Sequence, residues 1–209
     1  MTAEDVIKEV MLDKSFYNVS GGGMTISGGE PLFNGEFSYE LARLARENGM
    51  TVCIETSGFG KSEFVKKMCE VTEIFLLDWK VPARMYLETV GIEAEKVISN
   101  LSIMNECGND IILRCPMIPG VNMREPVSPE DIMKDGLTKE HIDGILTLAA
   151  NYKQIKGIEL EPYHPFGIAK SMALNENTKY DHNESLPNEK LLYLRNLLEE
   201  KSGLPIKIL

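Results

Sequence analysis

Six short apolar runs, separated by amphipathic stretches and loops, constrain this chain more than any other feature. They fall at residues 24–27, 50–54, 73–77, 110–115, 157–161 and 205–209. Runs of this length with β-branched and aromatic centres read as buried strands. Between them, apolar positions recur at helical spacing. Residues 36–48 place Phe37, Leu41, Leu44 and Ala45 on one face and stop at Asn48-Gly49. Residues 62–70 present Phe64, Val65, Met68 and Cys69, and residues 93–107 present Val97, Ile98, Leu101, Met104 and Cys107. Thr138 caps a helix to about residue 151, and residues 188–201 form another. Ahead of the first strand, residues 2–14 carry an apolar stripe of Ala3, Val6, Ile7, Val10 and Met11, with Thr2 as N-cap. Strands alternating with helices predict a parallel sheet.

The ends of the strands choose between the parallel folds. Five strands in succession run into polar groups: Ser27 to Glu30, Glu55 to Ser57, Asp78 with Lys80, Arg114, and Glu161 to His164. A doubly wound sheet gathers function at one crevice, whereas a barrel collects every strand end at one mouth. Six strand–helix units therefore predict an open, partial (β/α)6 barrel of TIM type. Two polar, aperiodic stretches interrupt the pattern. The first, residues 116–137, opens with Pro116-Met117-Ile118-Pro119-Gly120, and the second spans 165–186. Both are expected to be surface loops, and long loops often hold function.

The chain of 209 residues fits one domain, 1–209. A net charge of −10 excludes nucleic acid as the main partner, because a phosphate backbone would be repelled. No apolar run is long enough to span a membrane. The acidic start Met1-Thr2-Ala3-Glu4-Asp5 lacks the form of a signal peptide, so the expected location is the cytoplasm. Cys53, Cys69, Cys107 and Cys115 are separated by 16, 38 and 8 positions. That spacing fits neither a zinc site nor a disulfide framework, so four reduced core thiols are expected.

The first strand lies inside Gly-Gly-Gly-x-Thr-x-Ser-Gly-Gly-Glu-Pro-Leu, residues 21–32. Gly28 and Gly29 let the backbone turn sharply or let a ligand approach, and their N–H groups suit a carboxylate. Glu30 beside them suits an ammonium group. Together the edge matches an α-amino acid head group, although a plain glycine-rich turn has the same composition. This segment resembles that of the glycyl-radical-enzyme activating enzymes, the pyruvate formate-lyase activating enzyme group of the radical S-adenosylmethionine (SAM) superfamily. The resemblance implies that the Gly-Gly-Glu edge, with Ser27, binds the methionyl amine of SAM across the top of a partial barrel.

Further segments follow in the family's order. Asp78-Trp79-Lys80 resembles an Asp-x-Lys whose lysine lies near the SAM carboxylate; a surface ion pair is the alternative. Glu55-Thr56-Ser57-Gly58 resembles a segment that usually begins Asp-Thr. There the acid and hydroxyl contribute to SAM binding and, with the Asp of Asp-x-Lys, hold a monovalent cation, here Glu55, Thr56 and Asp78. Glu55 is one methylene longer than the usual acid, which puts the cation site in question. A strand-end turn with Thr and Ser bonded to backbone is the alternative. Arg114 stands in an otherwise apolar strand and needs an acidic partner or a ligand. It aligns with a family arginine beside SAM. His164, in Glu161-Pro162-Tyr163-His164, aligns with a family histidine near the nucleoside.

What the resemblance implies about activity is the reductive cleavage of SAM to a 5′-deoxyadenosyl radical, which generates a glycyl radical on a partner enzyme. The electron comes through a 4Fe–4S cluster held by C-x-x-x-C-x-x-C, supplied by a donor such as flavodoxin or ferredoxin. These residues contain no such motif. The cluster is therefore expected only in a longer chain with the motif upstream, and the chain alone is expected to be inactive. The competing reading is a non-catalytic module that binds a partner's glycine loop or a small zwitterion. A phosphate-binding barrel using Gly21 to Gly23 is weaker, because the turn supplies an acid where a base is wanted.

Overall fold

The computed structural model describes residues 1–124, 131–163 and 186–209. Six strands form one open sheet in chain order: β1 Gly23–Ile26, β2 Thr51–Thr56, β3 Ile74–Asp78, β4 Asp110–Met117, β5 Ile155–Pro162 and β6 Ile206–Ile208. β1 pairs in parallel with β2 (Ile26 opposite Ile54), β2 with β3 (Thr56 opposite Leu77), and β5 with β6. Each strand lies where an apolar run predicted one. Three run further than expected. β2 continues through Glu55 and Thr56, β4 continues through Pro116 to Met117, and β5 begins at Ile155.

The helices are α1 Ala3–Val10, α2 Lys14–Ser20, α3 Gly35–Glu47, α4 Ser62–Val71, α5 Tyr86–Thr89, α6 Ala94–Cys107, α7 Gly136–Asn151 and α8 Asn188–Ser202. Thr2 caps α1 through a reciprocal pair of hydrogen bonds with Asp5. The single helix expected over 2–14 instead breaks after Val10 into a 3-10 turn and α2. Of its stripe only Ala3 and Ile7 are buried, and Leu12, Phe16 and Val19 are exposed, so no packing face carries the first helix onward.

The chain divides into two compact units. The first comprises Met1–Asp78, Ile92–Leu113 and Tyr152–Lys156. Here Met24, Ile26, Val52, Ile54, Phe75 and Leu77 are buried, while Thr25, Cys53, Glu55, Leu76 and Asp78 occupy the other face of the strands. Phe37 was expected in the core of α3 but is exposed. The buried face of α3 is made of small residues, Gly35, Ser38, Ala42 and Ala45, with Leu41. The Phe64 ring of α4 packs so close to Gly35 that a Cβ there would fall 2.3 Å from it.

The second unit comprises Trp79–Gly91, Arg114–Asn151 and Gly157–Leu209. Its buried residues include Trp79, Tyr86, Met117, Ile142, Ile145, Ile158, Leu160, Leu191, Leu194 and Leu198, and α7 packs on α8. The expected surface loop after β4 is in part interior. Val121, Asn122, Met123 and Ile132 are buried, because three successive N–H groups close a turn on the Ile118 carbonyl. α7 starts at Gly136, and the cap is Asp135, whose carboxylate accepts from the Thr138 N–H at 2.8 Å and hydroxyl at 2.9 Å. Thr138 is thus inside the helix. Residues 125–130 of that loop and 165–185 of the second stretch lie outside the described residues.

Cys115 is buried, Cys53 and Cys69 are half-buried, and Cys107 is exposed, which corrects the expectation of four core thiols. Burial, with a hydrogen bond to Cys107, pushes the Cys69 thiol well above its ordinary range. Among the described residues, no helix is long and apolar enough to cross a membrane.

His141, on α7, is fully buried, and neither ring nitrogen has a hydrogen-bond partner among the described residues. Burial alone lowers its pKa from 6.5 to about 3. The neutral ring is kept in the fold while the unfolded chain takes up a proton below its ordinary value. Stability is therefore complete above pH 6.5 and falls as pH drops towards 3. Acidification from pH 7.5 to 5 is expected to remove about 2 kcal/mol through this residue. Urea midpoints at the two pH values check this, and His141→Leu is expected to flatten that part of the dependence.

Candidate functional site

In the first unit, the loop after β1 and the end of β2 are joined through one carboxylate. Glu30 Oε1 accepts from the Thr56 hydroxyl at 2.5 Å and the Leu32 N–H at 3.1 Å. Its Oε2 accepts from the Ser57 N–H at 2.8 Å and the Ser57 hydroxyl at 2.5 Å. A carboxylate has about four acceptor sites, so these four donors fill it. The sequence assigns Glu30 to an ammonium ligand; the geometry makes it the clamp of the loop that carries Gly28 and Gly29.

Those two glycines have φ of 82° and 56°, which only glycine adopts without strain. A Cβ on either would meet nothing within 4 Å, so the turn faces open space. Both glycines are exposed. Beside them the Ser27 hydroxyl donates to Glu55 Oε2 at 3.0 Å.

β2 presents its polar residues on alternate faces. Glu55 shares a face with Cys53, while Thr56 is on the buried face with Val52 and Ile54. The Thr56 hydroxyl donates to Glu30 and accepts from the Gly58 N–H at 3.0 Å. Gly58 has φ of 75°, and a Cβ there would press on Leu77 and Val97 at 2.9 and 3.0 Å. The Glu-Thr-Ser-Gly turn therefore needs glycine twice over. Asp78 closes β3 on the face opposite Phe75 and Leu77, half-exposed. Of the three residues that the resemblance assigns to a cation, Thr56 lies on the other strand face from Glu55.

In the second unit the groups are Lys80 and Arg114. The Trp79 N–H donates to the Arg114 carbonyl at 2.8 Å. The next peptide, Lys80, is held by side chains: its N–H donates to Tyr86 Oη at 3.0 Å and its carbonyl accepts from Asn122 Nδ2 at 2.6 Å. Arg114 Nε is 3.2 Å from both Glu159 Oε2 and Glu161 Oε1. The acidic partner that a half-buried arginine needs is thus present on β5.

His164 lies outside the described residues. Asn122, Tyr86 and Glu159 play parts that the sequence reading did not assign. Asn122 had a signal, a polar residue directly after Ile118-Pro119-Gly120-Val121. Tyr86 had none, because the stretch after Lys80 shows no clear period. Among the described residues, no group of three or more His, Cys, Asp or Glu is placed to hold a metal ion.

Comparison with known proteins adds three findings. Residues 1–128 match the family described as the radical SAM superfamily. The chain is 31% identical over 191 residues to the choline trimethylamine-lyase activating enzyme of Oleidesulfovibrio alaskensis, covering 91% of this chain and 58% of that protein. It is 30% identical over 212 residues to the benzylsuccinate synthase activating enzyme of Thauera aromatica, covering 100% of this chain and 60% of that protein. The chain thus spans about three fifths of the length of these relatives. A crystal structure of a domain of pyruvate-formate lyase-activating enzyme from Bacteroides vulgatus superposes with a TM-score of 0.67 at 22% identity, covering 90% of this chain and 98% of that one. This likeness bears out the fold class, a partial (β/α)6 barrel.

Removing a donor from the Glu30 clamp is expected to loosen the first unit. Thr56→Val keeps the shape of a buried side chain and deletes a hydroxyl bonded on both sides. Urea denaturation is expected to show a loss of about 1–3 kcal/mol.

Proposed function

The chain belongs to the radical SAM superfamily, and on that premise we propose that it is the SAM-binding and partner-binding part of a glycyl-radical-enzyme activating enzyme. The observation that carries this reading is the glycine edge. Gly28 and Gly29 sit in left-handed conformations, open to a ligand, on a loop that Glu30 ties to β2. Such an edge is pre-organised for the main-chain recognition of an amino-acid head group. The residues fit SAM at this edge. Gly28 and Gly29 offer carbonyls to its amine, with Ser27 and Glu55 beside them and Glu30, Thr56 and Ser57 holding the turn. In this reading Lys80 takes the carboxylate, Asp78 and Arg114 complete the polar surround, and His164 serves the nucleoside.

When bound, SAM supplies the radical that this family passes to a glycine Cα of a partner enzyme. The partner is thus a glycyl radical enzyme, and a flavodoxin or ferredoxin is the electron donor of the whole protein. The residues present do not fit an iron–sulfur cluster. Cys53, Cys69, Cys107 and Cys115 lie on β2, α4, α6 and β4, without the C-x-x-x-C-x-x-C spacing. We therefore assign the cluster to a longer chain that carries that motif. The same scatter favours, as the second reading, a module that binds the partner's glycine loop without radical chemistry.

Titration calorimetry with SAM tests the site. The parent chain is expected to bind one equivalent, and Lys80→Ala and Glu30→Ala are each expected to bind at least about tenfold more weakly, or 1.4 kcal/mol. Two variants that bind as the parent does would refute the assignment. Iron and sulfide reconstitution tests the cluster. No stoichiometric 4Fe–4S absorption is expected from the 209-residue chain, and about one cluster per chain would overturn that statement.

A further inference from the structure

Lys80 lies two residues past the end of β3, yet both of its main-chain groups are bonded to buried side chains. Its N–H donates to Tyr86 Oη at 3.0 Å, and its carbonyl accepts from Asn122 Nδ2 at 2.6 Å. Backbone at a strand end more often meets other backbone or water. Here the partners are 1% and 0% exposed and lie six and forty-two positions away.

Each partner is itself fixed. The Tyr86 ring packs on the Trp79 indole at 4.8 Å between centroids. The Asn122 amide also donates to the Pro116 carbonyl at 2.6 Å, and its Oδ1 accepts from the Ile118 N–H at 2.8 Å. One buried amide thereby ties the peptide after β3 to the last turn of β4. The Trp79 N–H, bonded to the Arg114 carbonyl, gives a further tie just before it.

A lysine ammonium rides on a flexible stem with several rotatable bonds. Its reach is defined only if the peptide it starts from is defined. We propose that Tyr86 and Asn122 are positioning residues for Lys80, clamping its peptide from both sides so that its ammonium is delivered to a ligand carboxylate. This rests on the reading above that Lys80 takes the carboxylate of SAM. The clamp bonds to main-chain atoms, so it sets where the ammonium starts from.

The test uses Tyr86→Phe, Asn122→Ala and Lys80→Ala in this chain, with SAM as the probe. Tyr86→Phe keeps the ring and removes the hydroxyl that accepts from the Lys80 N–H. Amide hydrogen exchange at Lys80 is expected to become at least about tenfold faster in Tyr86→Phe. SAM affinity is expected to fall about 5- to 10-fold in Tyr86→Phe and Asn122→Ala, at temperatures well below unfolding. In the Lys80→Ala background, Tyr86→Phe is expected to change affinity less than about twofold, because its effect passes through Lys80. A purely structural role would weaken binding equally in both backgrounds, and that result overturns the proposal. So does a Tyr86→Phe chain with the parent's exchange rate or affinity. Lys80→Ala binding SAM as tightly as the parent is a different failure: it refutes the ligand assignment of Lys80 on which the inference rests. If Asn122→Ala does not fold, Tyr86→Phe decides alone.

Discussion

The Glu30 carboxylate holds together a glycine turn that has no side chains of its own to fix it. Gly28 and Gly29 have no side chains to pack, and their left-handed backbone is available to them and to almost no other residue. Left alone, such a turn would sample many conformations. Four donors on one acid remove that freedom: two from Ser57, one from Thr56 and one from Leu32. Hydrogen bonds to an ionised acceptor are stronger than neutral ones. The shape of the glycine edge therefore depends on the end of β2, 26 and 27 residues further on. The end of β2 depends in turn on Gly58, which turns beneath Leu77 and Val97 where no side chain fits.

The second unit repeats the device with different chemistry. Lys80 is held through its peptide by a phenol and an amide, and Arg114 through its guanidinium by Glu159 and Glu161. Lys80, just past β3, and Arg114, inside β4, are each held by side chains from elsewhere in the unit. A ligand that meets groups already held loses less freedom on binding than one that must order them. The residues of these two units that bear on a ligand fall into two kinds. Some offer open main chain, as Gly28 and Gly29 do. Others, such as Glu30, Thr56, Tyr86 and Asn122, are committed to holding their neighbours.

Local pattern carried the fold a long way. Six apolar runs of strand length became six strands, because alternating burial on a sheet is written directly into short-range sequence. The departures have local causes too. Phe37 faces outwards because α3 meets α4 through small residues, an arrangement in which the bulk comes from Phe64 on the partner helix. The helix expected over 2–14 breaks where burial thins out, with Val10 and Met11 half-buried and Leu12 exposed. The buried turn at Val121 to Met123 leaves no periodic trace in the sequence, because its bonds converge on a single carbonyl.

Residue types and spacing alone determined the strand and helix order, the glycine edge, and the set of polar groups gathered at strand ends. What those groups do to one another was decided by the tertiary structure. Sequence gives Glu30 a charge, and only the fold supplies the four donors that turn it from a candidate ligand into a clamp. Sequence asks for an acid near Arg114, and only the pairing of unlike segments names Glu159 and Glu161. Tyr86 was silent for the same reason. A hydrogen bond between residues far apart in the chain depends on where the backbone brings them, and periodicity reports only which face of its own element a side chain occupies.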